Sequence, residues 1–182
     1  MKVMLERKYT NCINFEHTIY LTESYIDYFL AKHSFNIVEK KYFKDDHSIF
    51  YCAKRANEKI NYILDDNLYN KNKDTFISYI KYHLDDVKNI NSIIKSVNGP
   101  VYLFGAHVFS QYLISFGLET DNIVSLLDND SNKHNKRLYG TSLMCYAPSV
   151  LKDVKNPIVI LRAGVYNDEI KKDILQNINF NT

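Results

Sequence analysis

The stretch VYLFGAHVFSQYLISFG, Val101 to Gly117, decides the fold. Val101-Tyr102-Leu103-Phe104 is a short apolar run rich in β formers, Gly105 follows it, and an amphipathic segment then runs to Gly117. The order is strand, turn, helix, as in a nucleotide-binding βα unit. A dinucleotide fingerprint repeats glycine through that turn, whereas Gly105 stands alone. Glycine permits a tight turn, and the helix behind it offers N–H groups to an anion. The turn therefore reads either as an anion cradle or as plain βα geometry.

Outward from this stretch, the segment 99–182 alternates strand and helix. Val101–Phe104, Ile123–Leu127 and Ile158–Leu161 read as strands, and His107–Phe116, Pro148–Val154 and Tyr166–Asn177 as helices. Short apolar strands between helices predict an α/β lobe with a parallel, Rossmann-like sheet covered on both faces. Ligands of such sheets bind beyond the carboxyl ends of the strands. Those ends are Gly105-Ala106-His107, Asp128-Asn129 and Arg162-Ala163-Gly164. Asp128 follows Gly105 by 23 residues, near the distance at which an acidic side chain reaches a ribose hydroxyl. It equally suits an ordinary turn, and Arg162 suits either an anionic ligand or a solvated helix entry.

Upstream, 56–98 reads as a helical connector. Phe76, Ile80, Leu84, Val87, Ile90, Ile94 and Val97 step by three and four along one stripe. Asp74 is the expected cap, and Asn98-Gly99-Pro100 the stop, with glycine in the left-handed position. The segment 1–55 predicts a strand at Ile13–Phe15 and a helix from Glu23 to Lys32 capped by Thr22. Its apolar face is Tyr25, Ile26, Phe29 and Leu30. Two strands, Asn36–Tyr42 and Ser48–Lys54, flank the polar turn Lys44 to His47. Glu16-His17, with Tyr20 nearby, sets a carboxylate and an imidazole at a strand end. That is either a place for a general base or a structural pair.

Composition narrows the classes. The chain has 182 residues, 46% hydrophobic and 24% charged, with a net charge of +2. That is globular, and too weakly charged for a nucleic-acid or membrane surface. Cys12, Cys52 and Cys145 are too far apart for a paired zinc site or a disulfide framework, so reduced, buried thiols are expected. The histidines follow no metal spacing. Residues 1–9 lack a leader pattern, and no apolar run nears the ~20 residues of a span, so a cytoplasmic location is expected.

Two groups of motifs together resemble one family. EHTIYLT, Glu16 to Thr22, resembles the EH-x-x-Y-x-[S/T] segment of sugar C-methyltransferases that use S-adenosylmethionine. The helix, strand, His47-Ser48 turn and strand that follow come in that family's order. Gly105-Ala106, Leu127-Asp128-Asn129, Lys133 to Lys136, Tyr139-Gly140-Thr141 and Asp168-Glu169-Ile170 resemble its C-terminal Rossmann-like lobe. The resemblance implies methylation of a ring carbon of a nucleotide-linked keto-sugar. A base removes the proton beside the ketone, and the enolate takes the cofactor's methyl group. By position it implies His17 as the base with Glu16 beside it, and Tyr20, His47, Gly105, Ala106, Asp128 and Arg162 around the substrate.

The family opens with zinc-binding cysteines and a glycine-rich cofactor loop. This chain has neither, and Gly99 is its first glycine. The expectation is the C-terminal portion of such an enzyme. Residues 1–55 would be a truncated α/β remnant of the methyltransferase domain, unable to bind S-adenosylmethionine alone, with no metal. The partners implied are a nucleotide-linked sugar and either a second copy, joined through Met1–Arg55, or a separate chain carrying the cofactor half. The alternatives are a non-catalytic module that binds a nucleotide-sugar or a protein, and a true dinucleotide lobe with Asp128 on the ribose.

Overall fold

The computed structural model describes residues 2–9, 13, 19–43 and 48–182, with the backbone alone at 165. In chain order the elements are α1 (Lys2–Glu6), α2 (Glu23–Lys32), β1 (Phe35–Phe43), β2 (Ser48–Arg55) and α3 (Leu68–Ser96). They continue with β3 (Val101–Phe104), α4 (Val108–Ser115), β4 (Ile123–Leu127), β5 (Cys145–Tyr146), β6 (Ile158–Leu161) and α5 (Asn167–Asp173). Two compact units divide the chain, Met1–Lys81 and Tyr82–Thr182, and the division falls inside α3. Among the described residues no helix is long and apolar enough to cross a membrane.

The second unit is the Rossmann-like α/β lobe. Its sheet has the order β5-β4-β3-β6, and every pair is parallel. β3 is buried along its whole length, so its side chains alternate between two cores. Val101 and Leu103 join Leu126, Leu113 of α4, and Val87, Ile90 and Ile94 of α3 on one face. Tyr102 and Phe104 join Leu127, Leu151, Ile170 and Ile174 on the other. Asp168-Glu169-Ile170 opens α5, with Ile170 as its buried member.

Several expectations are corrected here. β5 has only two residues, too few for a periodic signal. Pro148–Asp153 is 3-10 helix. The last helical segment passes from 3-10 at Gly164–Tyr166 through α5 to a π turn at Ile174–Ile178. Gly99 does not adopt a left-handed conformation. It is needed because a Cβ there would lie 2.3 Å from the Asn156 carbonyl oxygen.

α3 starts six residues before the expected Asp74 cap. Asp65 orders that start: its carboxylate accepts from the Asn67 N–H (2.9 Å), and its carbonyl from the Leu68 N–H (2.9 Å). Asp74 is an exposed interior residue. The buried line of α3 also differs from the expected stripe. Tyr79 and His83 occupy it, while Phe76 and Leu84 are 43% and 48% exposed. Tyr79 buries its ring because its hydroxyl donates to the Tyr9 carbonyl (2.9 Å). His83 stacks on Phe116, with ring centroids 5.2 Å apart.

In the first unit β1 and β2 form an antiparallel hairpin with an irregularity between Ile37 and Glu39. α2 packs on β1, and ions make the join. Lys40 Nζ donates to Glu23 Oε1 (2.6 Å) and Asp27 Oδ2 (2.9 Å), and the Tyr42 hydroxyl donates to Glu23 Oε1 (2.6 Å). Thr22 precedes α2 but its side chain makes no cap bond, and Phe29 of the expected apolar face is exposed. Cys52 is exposed rather than buried, whereas Cys145 is buried. The expected strand at 13–15 and the turn 44–47 fall wholly or largely outside the described residues, as does Cys12.

Candidate functional site

Strand order locates the ligand end of the second unit. From β3 the chain steps to β4 and then β5, and returns to the other side of β3 as β6. The loop after β3 leads to α4 over the first core, and the loop after β6 leads to α5 over the second. The switch point therefore lies between β3 and β6, beyond Phe104 and Leu161. Gly105 and Arg162 stand there. The loop after β6 reaches the start of α4, since a Cβ at Gly164 would lie 3.9 Å from Phe109 Cζ.

Gly105 has φ +101°, which favours glycine. Its N–H donates to the Leu127 carbonyl (2.6 Å), and its carbonyl accepts from the His107 N–H (2.8 Å) and the Ser110 hydroxyl. The next N–H, of Ala106, donates to Asp128 Oδ2 (2.9 Å). The same oxygen accepts from Lys133 Nζ (2.9 Å), and Oδ1 accepts from the Asp130 N–H (2.9 Å). His134 Nε2 lies 2.8 Å from the Asp128 carbonyl, which can only accept, so that nitrogen carries the proton. Burial would raise the Asp128 carboxyl. The Asp130 N–H, the Lys133 ammonium and the Ala106 N–H outweigh it and hold the group below the ordinary carboxylate value. Asp128 is a buried anion ringed by its own donors.

Gly105, Ala106 and Asp128 are thus brought together, and Lys133 and His134 join them. Arg162 is turned elsewhere: its Nη2 donates to Asp86 Oδ1 of α3 (2.6 Å). Its Nε is buried with no partner among the described residues. Asn167 accepts the Ala163 N–H (2.8 Å) and orders the loop after β6.

The first unit holds part of the other motif. Tyr20 and Thr22 line a cavity of about 130 Å³ with Leu5, Thr75 and Phe76. The Thr22 hydroxyl is buried with no partner among the described residues. Glu16, His17 and His47 lie outside the described residues. Among the described residues no group of three or more His, Cys, Asp or Glu side chains is placed to hold a metal ion.

Residues that reasoning from sequence missed are Asp86, Asn167 and the Lys40 cluster. Glu23 and Asp27 sit one turn apart on α2, a visible carboxylate pair, but nothing local points to Lys40 as their partner. No protein-family model matches the chain, and no curated protein matches it.

Proposed function

We infer that the chain is the C-terminal portion of a C-methyltransferase acting on a nucleotide-linked sugar. The observation that supports this reading is the cavity on which Tyr20 and Thr22, two residues of the EHTIYLT stretch, converge. An unpartnered buried hydroxyl such as that of Thr22 has a desolvation cost that a polar ligand atom would relieve. In this reading His17, with Glu16 beside it, removes the proton next to the sugar ketone.

S-adenosylmethionine does not fit the residues present. Its phosphate-free nucleoside still needs close backbone approach, and the first unit contains no glycine at all. In this reading the cofactor is held by residues other than these 182. Asp128 is not given a ribose role, because both its carboxylate oxygens already hold donors.

One observation favours a second reading, a non-catalytic binding module. Ala106 and Asp128 satisfy each other, so that turn asks for no phosphate. A single experiment separates the two. A nucleotide-linked keto-sugar is incubated with the chain in deuterium oxide, and the proton beside the ketone is followed by NMR. Exchange that disappears in His17→Asn supports the methyltransferase reading, since proton removal needs no cofactor. The absence of both exchange and calorimetric binding of the sugar selects the module, as one that binds a protein. Micromolar binding of S-adenosylmethionine to the chain alone overturns the assignment of the cofactor half.

A further inference from the structure

The cavity in the first unit is lined, among the described residues, by the uncharged polar side chains Tyr20, Thr22, Asn72 and Thr75, with apolar Leu5 and Phe76. At about 130 Å³ it is close in size to an apolar cavity of about 150 Å³ that admits benzene. One edge of a six-membered ring therefore has room there.

The polar groups divide into engaged and free. Tyr20 has contacts of its own, and Thr75 donates its hydroxyl to the Lys71 carbonyl (2.9 Å). Lys2 also lines the cavity, but it is exposed and pairs with Glu6 (3.7 Å). The Thr22 hydroxyl is buried and has no partner among the described residues. The half-buried Asn72 amide has no hydrogen-bond partner among them either. Thr22 also stands at the start of α2, where a threonine ordinarily caps the first N–H groups. Its side chain makes no such bond. The residue thus forgoes helix stability and leaves a hydroxyl desolvated without return. Local rules broken in this way are the mark of a functional position.

We propose that Thr22 and Asn72 form an oxyanion site, in which the Thr22 O–H and an Asn72 N–H donate to the ketone oxygen of the sugar. The proposal rests on the methyltransferase reading and adds two catalytic residues to it. When the proton beside the ketone leaves for His17, the C–H electron pair becomes the C=C bond of an enolate. The C=O π pair moves onto oxygen, where the two donors receive the new charge. In deuterium oxide the enolate carbon takes a deuteron back, and the ketone is restored. Both donors are neutral, so they gain strength as the charge develops rather than on binding.

The exchange experiment on the keto-sugar tests this when run as a rate against sugar concentration. Thr22→Val keeps the shape of the side chain, and Asn72→Leu places a better helix former on α3. Each is expected to lower the maximal exchange rate about 10²–10³-fold, with the half-saturating concentration moved less than about threefold. Thr22→Ser, which restores the hydroxyl, should recover most of the rate. Thermal melts separate these effects from damage to the fold. Thr22→Val removes an unpartnered hydroxyl and no cap, so it should melt at or above the parent, as should Asn72→Leu. Exchange that His17→Asn abolishes, but that both variants keep within about threefold, overturns the oxyanion site and leaves the methyltransferase reading standing. A parent chain without exchange overturns both. A variant that melts below the parent marks its polar group as structural and overturns that residue's role.

Discussion

The two units hold themselves together by different means. In the second, a parallel sheet is covered on both faces, and β3 is buried end to end. In the first, α2 covers one face of a two-stranded hairpin, and an ion cluster makes the join. On the hairpin, Phe43 and Phe50 remain 59% and 60% exposed. A two-stranded ribbon has little apolar area to bury, and such ribbons are marginal alone. Apolar burial anchors one unit, and charge placement orders the other.

The contrast is broken most directly at Leu103, which is fully buried. Leu103→Ala leaves a cavity between sheet and helices, and should cost about 2–5 kcal/mol. Phe50→Ser on the hairpin should change stability by less than about 0.5 kcal/mol. Urea unfolding of both variants checks the pair. Hydrogen exchange adds a second check, with β3 amides expected to outlast those of β1 and β2. Equal losses in the two variants would erase the distinction between the units.

Asp128 shows charge at work inside the apolar unit. Asp128→Asn replaces one acceptor oxygen by a donor amide facing the Ala106 N–H, the Asp130 N–H and Lys133. A loss of about 1–3 kcal/mol at neutral pH is expected. The folded carboxyl titrates below its unfolded value of about 3.9. Its contribution is therefore complete above that value and is lost as pH falls through the folded pKa. Stability of the variant should decline less than that of the parent as pH falls below about 4, as followed by acid titration with circular dichroism.

Much of this frame was legible in advance, and the failures have physical causes. β3, β4 and β6 stood out because both faces of a parallel sheet are buried, which leaves continuous apolar runs. α3 was legible as a helix, but its buried line was not. Tyr79 and His83 are buried by contacts with Tyr9 and Phe116, distant in sequence. Asp74 looked like the cap because an acidic residue preceded the regular stripe, whereas Asp65 supplies the turn. At the candidate site, Gly105 and Asp128 could be placed at the sheet's carboxyl end from strand assignment alone. That Asp128 serves Ala106 and Lys133 could not, since those contacts exist only once β3 and β4 pair. The Asp86 partner of Arg162 is 76 residues away.

The smallest expected effect sharpens the comparison at Lys40. Burial would lower its ammonium pKa, but the hydrogen bonds and charges of Glu23 and Asp27 outweigh burial and raise it well above the ordinary lysine value. Glu23 is shifted the opposite way: burial would raise it, while Lys40 and Tyr42 bring it below its ordinary value. The Lys40 contribution is complete below the unfolded pKa and fades only in strong alkali, as pH rises through the folded value. The Glu23 contribution fades in acid, as pH falls through its folded pKa. Glu23 is more than a third exposed, so solvent screens much of the pairing. Lys40→Met should therefore cost only about 0.2–1 kcal/mol at pH 7. Between pH 6 and pH 10 (roughly the span between both limits) the parent's margin over the variant should stay constant. It should then narrow in acid, as pH falls through the folded Glu23 pKa, which lies below the ordinary value. Urea midpoints measured across that range test the account. A margin that stays constant into acid would mean that Lys40 holds α2 to the hairpin by packing its stem, with Glu23 incidental.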